Sequence, residues 1–160
     1  MSVTGRDNPL HLVGPAGIRQ FIDSQLALTH SHLVYPLEVT ELEGPATGQQ
    51  VFENRHLQVQ ALPLFHRIAC YGYRFSEKPK RPKLLVHRAK ADGMAKEYFR
   101  ILKQGKDVTL ADGTTYLAAD YLTDPDPAYS FAYCSDTAPH PPLVEHIQGV
   151  DVLYHEATFA

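Results

Sequence analysis

The chain has 160 residues, of which 44% are hydrophobic and 21% charged, and it contains two cysteines. These values are typical of a globular domain with its own core, and they exclude a disordered, collagen-like or disulfide-stapled protein. The net charge of −3 combines two unlike parts: residues 78–106 hold ten basic and two acidic side chains, whereas the other 131 residues hold five basic and sixteen acidic ones. An acidic body with one basic segment indicates a part that binds a polyanion.

No membrane-spanning segment is predicted. Apolar runs stay well short of the roughly 18 residues that a membrane helix needs. The first residues lack the apolar core of a signal peptide. We therefore expect a cytoplasmic chain that does not contact a membrane, in which Cys70 and Cys134 are reduced thiols.

Apolar patterns in the first half of the chain predict strands and one helix. Leu10 to Val13 is typical of a strand, and Pro15 is placed to take the first position of a helix whose apolar face runs from Ile18 to Leu28. Alternation predicts further strands at 35–42, 51–52, 57–64 and 69–75, with the middle two paired. In the last of these strands, Gly72 marks a bulge or a close approach of another chain segment.

The composition changes after Glu77, where Pro79 and Pro82 prevent a continuing strand. Helices are predicted at 84–91 and 94–102, and Asp112-Gly113 predicts a hairpin turn. A strand at 129–134, a short helix at 143–147 and a strand at 150–154 complete the pattern. Since both chain ends adjoin strands, we expect a part of a larger fold.

Candidate site residues follow three of the predicted strands: His66, Asp136 and the pair His155-Glu156. Open α/β sheets bind ligands beyond the carboxyl ends of their strands. Imidazole and carboxylate groups suit zinc, and a carboxylate can bridge two metal ions. A structural histidine, a loop-capping aspartate and the start of a turn explain the same residues, so spacing alone leaves both interpretations open.

Four strings of residues occur in a fixed order. They are Phe-His-Arg-Ile-Ala-Cys-Tyr-Gly-Tyr-Arg-Phe at 65–75, Leu-Lys-Gln-Gly at 102–105, Ser-Asp-Thr at 135–137 and His-Glu-Ala-Thr-Phe at 155–159. Together with Leu-Val-Gly-Pro-Ala-Gly at 12–17, they resemble ribonuclease Z, the tRNA 3′-processing endoribonuclease family of the metallo-β-lactamase superfamily. The resemblance extends over nearly all 160 residues. It implies an α/β fold in which residues 1–160 form part of an α/β/β/α sandwich and residues 77–106 form an inserted basic arm.

The resemblance also implies roles for the candidate residues. His66 is similar to a histidine that ligates one zinc ion, and Asp136 to the aspartate that bridges two. His155 is similar to a non-ligand histidine at the scissile phosphate, with Glu156 as its orienting partner. The implied reaction is removal of the 3′ trailer of precursor tRNA by a zinc-activated hydroxide. In the implied homodimer, the arm of one subunit grips the tRNA of the other through basic residues, namely Lys78, Lys80, Arg81, Lys83, Arg88, Lys90 and Lys96.

Departures from the family pattern limit what this stretch should do alone. The His-X-His-X-Asp-His motif is absent, because Leu33-Val34 follows His30-Ser31-His32, which we interpret as surface or strand-entry histidines. The basic arm lacks the family's Gly-Pro pair, and Ala138 stands where many members carry arginine. With only His66 and Asp136 as ligands, we expect zinc to be absent or weakly bound in this stretch, and the stretch to be inactive by itself.

Two alternatives are considered beside this interpretation. One is a hydrolase of small phosphodiesters or sulfate esters, which has no need of the basic segment. The other is a degenerate, metal-free relative that binds RNA or a partner chain, which fits the missing ligands.

Overall fold

The structure is a computed structural model that describes residues 5–158, so Phe159 of the last string lies outside the described residues. The chain forms two compact units. We call Met1–Glu77 with Tyr129–Ala160 the sheet unit, and Lys78–Ala128 the inserted unit. Of the predicted basic arm, 77–106, all residues except Glu77 lie within the inserted unit, which continues beyond Lys106 to Ala128.

The chain contains both strands and helices, which confirms the predicted mixed α/β class. The strands are β1 Leu10–Pro15, β2 Leu37–Leu42, β3 Gln50–Glu53, β4 Leu57–Pro63, β5 Tyr71–Glu77, β6 Val108–Thr109, β7 Thr115–Tyr116, β8 Ser130–Cys134 and β9 Val152–His155. The helices are α1 Ile18–Leu28, α2 Val86–Ala91, α3 Phe99–Leu102, α4 Ala118–Tyr121 and α5 Pro141–Ile147, with a 3₁₀ turn at Lys96–Tyr98. No helix in residues 5–158 is long and apolar enough to cross a membrane.

The sheet unit is built on a five-stranded sheet in the order β3-β4-β5-β8-β9. Its first four strands are antiparallel neighbours, and β9 runs parallel to β8. A separate parallel pair joins β1 to β2. Strand β9 is an edge strand whose four residues are all exposed.

Alternating side chains of the sheet build a core on each face. On one face, Ala61 and Tyr71 pack with Leu42 and Ala46, and the Tyr71 hydroxyl donates to the Gly44 carbonyl at 2.6 Å. On the other face, Leu62, Ala132 and Cys134 pack with Leu143 of α5. Because successive residues of a strand point to opposite faces, Ala61 and Leu62 serve different cores.

Gly72 confirms the predicted close approach. A Cβ atom at this position would lie 2.8 Å from the carbonyl oxygen of Tyr133, which belongs to the neighbouring strand β8. A side chain at residue 72 therefore conflicts with the spacing of β5 and β8.

The first helix starts later than the sequence predicts. Pro15 is the last residue of β1, paired with Leu42, so the predicted helical position of Pro15 is wrong. Parallel pairing with β2 carries the strand past the proline, and Gly17, with φ of +92°, reverses the chain into the helix. The amides of Gly17 and Arg19 donate to Glu41 Oε1 at 2.9 and 3.0 Å, which satisfies two free groups of the helix start.

His30 and His32 lie in the segment that follows this helix. His30, the second residue after the helix, adopts a left-handed conformation with φ of +48°. His30 and His32 are exposed, in agreement with their interpretation as surface residues.

The inserted unit has a small core of its own. It is made of Ala89, Met94, Leu102, Val108, Ala118 and Tyr121. The predicted hairpin is present as β6 and β7, while α4 was not predicted. Leu84 pairs with Leu122, and the Thr123 amide donates to the Lys83 carbonyl at 2.9 Å, so the two ends of the unit lie side by side.

Candidate functional site

Three strands of the sheet unit end at the same edge of the five-stranded sheet. Strands β4 and β8 are both antiparallel to β5 and therefore run in one direction, which β9 shares because it is parallel to β8. Their carboxyl ends lead to His66, Asp136 and Glu156, respectively. This shared direction is the reason that residues up to 90 positions apart in sequence meet.

A cavity of about 650 Å³ lies beyond that edge. It is lined by Phe65, His66, Arg67, Asp136, Ala138, Glu156 and Thr158. The structure thus brings together three of the four predicted site residues. His155 is not among the lining residues.

His66 presents one ring nitrogen for a ligand. Its imidazole is exposed, and the Ile68 amide donates to Nδ1 at a long 3.4 Å. Because Nδ1 accepts here, the proton of the neutral ring lies on Nε2, which can donate to a substrate oxygen. Ligation of a metal ion by Nε2 would require the proton to lie on Nδ1 and this contact to be lost. The assignment of His66 as a zinc ligand remains a prediction.

Asp136 also lies exposed, with its backbone tied to the loop before β5. The Cys70 thiol donates to the Asp136 carbonyl oxygen at 3.4 Å. Burial, and next the negative charge of Asp136, raise the pKa of Cys70, so the thiol keeps the proton that it donates. Both cysteines are free thiols, as predicted.

Glu156 acts as an acceptor for two loops. Its Oε1 accepts the Thr137 amide at 2.7 Å, and its Oε2 accepts the Thr158 amide at 3.2 Å. Hydrogen bonds from Thr158 and from Thr137 hold the pKa of Glu156 below its ordinary value. The carboxylate is therefore ionised at neutral pH and engaged with backbone amides.

His155 contacts Glu156 through the backbone. Its Nδ1 lies 2.6 Å from the Glu156 carbonyl oxygen. Since a carbonyl oxygen only accepts, this hydrogen bond puts a proton on Nδ1. Nε2 is then the ring atom that can exchange a proton with a substrate.

The described residues do not form a complete metal centre. In residues 5–158, no group of three or more His, Cys, Asp or Glu side chains lies close enough to hold a metal ion. His66 and Asp136 have the right donor atoms for zinc, but two donors are fewer than the three or four of a zinc site. The residues at this edge fit a part of such a centre.

The inserted unit carries a second concavity, of about 820 Å³, lined by Arg81, Lys83, Lys96, Arg100 and Lys103 together with Phe99 and Gln104. Three of the predicted arm cations are among these residues.

Arg88 lies elsewhere, 5.3 Å from the centre of the Tyr121 ring. Lys83 Nζ contacts Asp126 at 2.5 Å, and this hydrogen bond lowers the pKa of Asp126. The other predicted arm cations, Lys78, Lys80 and Lys90, do not line the concavity.

Sequence reasoning singled out neither Thr137 nor the cavity walls formed by Phe65 and Arg67. Thr137 lies next to Asp136 and inside the Ser-Asp-Thr string, which was the available signal. Its hydrogen-bond partners are distant in sequence, so their identity required the structure.

Comparison with known proteins points to one class, the ribonucleases. A protein named Ribonuclease BN from Cronobacter sakazakii is 42% identical over 158 residues, which is 98% of this chain and 51% of that protein. Proteins of the same name from Erwinia tasmaniensis and from Escherichia coli O7:K1 are 39% and 38% identical over 158 residues. The chain spans about half the length of the curated relatives it matches.

Other comparisons add little to this result. No family model matches the chain. A solved structure of human tRNase Z, short form (ELAC1), is 30% identical and covers 44% of this chain and 33% of its own, with a TM-score of 0.38. At that TM-score the likeness carries no argument about the fold.

Proposed function

We propose that this chain is part of an endoribonuclease that removes the 3′ trailer of precursor tRNA. The observation that carries the proposal is the meeting of His66, Asp136 and Glu156 at one cavity, beyond strands that share one direction. Similarity to proteins named Ribonuclease BN over 98% of the chain supports an RNA substrate. The whole would be the α/β/β/α sandwich implied by the resemblance to ribonuclease Z.

Zinc is the proposed cofactor of the complete enzyme. His66 and Asp136 would contribute two ligands, and the described residues do not supply a third. Zinc lowers the pKa of a bound water to near neutral, which is the chemistry that a phosphodiester hydrolysis needs.

His155 is proposed to hand a proton to the leaving oxygen of the scissile phosphodiester. Its Nδ1 is committed to the Glu156 carbonyl, so the proton would move at Nε2. Glu156 itself would hold the loops in place with its ionised carboxylate. The products would be a tRNA with a 3′-hydroxyl and a trailer with a 5′-phosphate.

The decisive experiment incubates the complete protein with a precursor tRNA and maps both product ends. His155→Ala should lower turnover by about 10²–10⁴-fold and leave zinc content unchanged. His66→Ala should lower both turnover and zinc content. Absence of trailer removal by the zinc-loaded complete protein contradicts the proposal, and equal loss of zinc in the His155 variant contradicts the role of His155.

The 160-residue chain serves as a control in the same assay. With two zinc donors it should bind well under two equivalents of zinc and leave precursor tRNA intact. Full zinc loading and cleavage by this chain alone would contradict the partial-centre interpretation.

The second candidate function is that of a metal-free relative that binds RNA without cutting it. The lack of a three-donor group in residues 5–158 favours it. Metal analysis of the complete protein separates the two candidates, since only the enzyme should hold about two zinc ions per chain.

The inserted unit is proposed to grip the tRNA backbone within a cytoplasmic homodimer. Clustered cations around one concavity suit phosphate contacts, which weaken steeply as salt rises. Cleavage of precursor tRNA should therefore fall steeply with salt, whereas hydrolysis of a small chromogenic phosphodiester should not.

Edge strand β9, with exposed Val152, Leu153 and Tyr154, supports self-association, which sedimentation measures.

A further inference from the structure

Thr137 is a buried polar residue in the middle of the candidate site. Only 6% of its surface is exposed. Burying a hydroxyl is unfavourable unless its hydrogen bonds are satisfied. The stability of the fold around Thr137 therefore depends on the hydrogen-bond partners of its hydroxyl.

Hydrogen bonds of Thr137 join the loops that follow β4 and β8. The Phe65 amide donates to Thr137 Oγ1 at 2.9 Å, across 72 residues of sequence. The Ala138 amide donates back to the Phe65 carbonyl at 2.8 Å. Phe65 directly precedes His66, and Thr137 and Ala138 are the first and second residues after Asp136, so these two bonds lie within two residues of each candidate ligand.

The third loop is joined by the backbone of the same residue. The Thr137 amide donates to Glu156 Oε1 at 2.7 Å. The Thr137 hydroxyl, which accepts from Phe65, also donates to the Ala138 carbonyl at 3.0 Å. One residue thus ties together the three loops that line the cavity.

We infer that Thr137 is a positioning residue, which sets the placement of the His66 imidazole relative to the Asp136 carboxylate and fixes Glu156 beside them. This inference rests on the proposed function, since positioning matters for the reaction proposed there. Reacting groups must be held within about 0.5 Å of their productive geometry, and a displacement of about 1 Å costs on the order of 100-fold in rate. A hydroxyl that bridges two loops meets that demand where flexible loops alone do not.

A matched pair of substitutions in the complete protein tests the inference. Thr137→Val keeps the shape but removes the hydroxyl, while Thr137→Ser keeps the hydroxyl. Thr109→Val, at an exposed threonine of the inserted unit, controls for the same chemical change elsewhere. We expect Thr137→Val to lower kcat for precursor tRNA by about 10–100-fold with little change in KM. Thr137→Ser should stay within about threefold of the unsubstituted protein, by the same positioning argument.

A second readout follows the loops without any reaction. Amide hydrogen exchange at Phe65, and the NMR resonances of the His66 ring, should change in Thr137→Val and be restored in Thr137→Ser. Sheet amides of β4 and β8 should keep their protection in both variants. Unchanged Phe65 exchange and His66 resonances in Thr137→Val would overturn the inference.

These readouts also separate the inference from the proposed function. If the unsubstituted protein cleaves no tRNA, the exchange and ring signals still report whether Thr137 positions the loops. If Thr137→Val does not fold, the unsubstituted protein decides: a Thr137 hydroxyl proton that exchanges slowly and lies near the Ala138 backbone supports the bridge. Rapid exchange of that proton overturns it.

Discussion

The sheet unit and the inserted unit differ in charge and in how they bury apolar surface. The sheet unit carries five basic and eleven acidic residues, and the inserted unit ten basic and seven acidic. In the sheet unit, a five-stranded sheet has a hydrophobic core on each face. In the inserted unit, short helices and a hairpin with two-residue strands surround one core. The candidate site therefore lies on the unit with the larger hydrogen-bonded sheet, and most of the cations lie on the unit whose sheet has only two short strands among the described residues.

The largest expected effects come from one buried leucine in each unit. Leu62 is 1% exposed in the sheet unit and Leu102 is 0% exposed in the inserted unit. Replacing either with alanine should destabilise its own unit by about 2–5 kcal/mol, because a cavity remains. Amide exchange resolved by unit measures the effect. Equal loss of protection in both units after Leu102→Ala would contradict this expectation, because it would show that the two units unfold together.

Gly72→Ala should have the next largest effect, in the sheet unit. The added Cβ would lie 2.8 Å from the Tyr133 carbonyl, and overpacking of this kind costs about 1–3 kcal/mol. Gly14→Ala is the matched control, since its Cβ would come no closer than 3.4 Å to Ile18. Urea denaturation should separate the two variants. Equal stabilities would show that β5 and β8 can move apart at little cost.

Arg100→Ala tests whether the positive charge of the inserted unit acts through its concavity. Because Arg100 lines the basic concavity, its loss should weaken precursor tRNA binding a few-fold and lower the salt slope by about one. Lys90→Ala removes the same charge from an exposed site outside the concavity and serves as the control. Equal slopes in the two variants would assign binding to total charge instead of to the concavity.

Acid sensitivity should give the smallest effect. The Asp151 carboxylate accepts the Ser130 hydroxyl at 2.8 Å and its amide at 2.6 Å, and these bonds lower the pKa of Asp151. A lowered pKa means that the stabilisation is present above the ordinary value of 3.8 and is lost as pH falls through the folded value. In Asp151→Asn, the protection of the β8 and β9 amides against exchange should depend less on pH in the acid range. An unchanged acid response would contradict the assignment.

Much of the sheet unit follows from local pattern. Alternation from Leu57 onward predicts β4, and the glycine at position 72 predicts a tight neighbour, which the Tyr133 carbonyl provides. Pro15 was placed wrongly because parallel pairing with Leu42 is a contact between segments that no local pattern contains. The four residues of α4 are too few to produce a helical period.

The candidate site was predictable residue by residue but not as an arrangement. Strand ends identify His66, Asp136 and Glu156 as candidates. Their meeting depends on the common direction of β4, β8 and β9, and alternation does not encode direction. The role of Thr137 depends on a bond to Phe65 across 72 residues, which a short string such as Ser-Asp-Thr does not contain.

The closed base of the inserted unit makes it a removable module. The Glu77 amide donates to the Tyr129 carbonyl at 2.8 Å, so the sheet unit is interrupted at two points that are one hydrogen bond apart. Joining those points with a short turn would leave the sheet's strand pairing in place, because insertions at closely spaced ends cost little in chain entropy. Evolution could thus lengthen, shorten or exchange the cationic unit without rebuilding the cavity, and the surface proposed to bind tRNA could change independently of the proposed cleavage site.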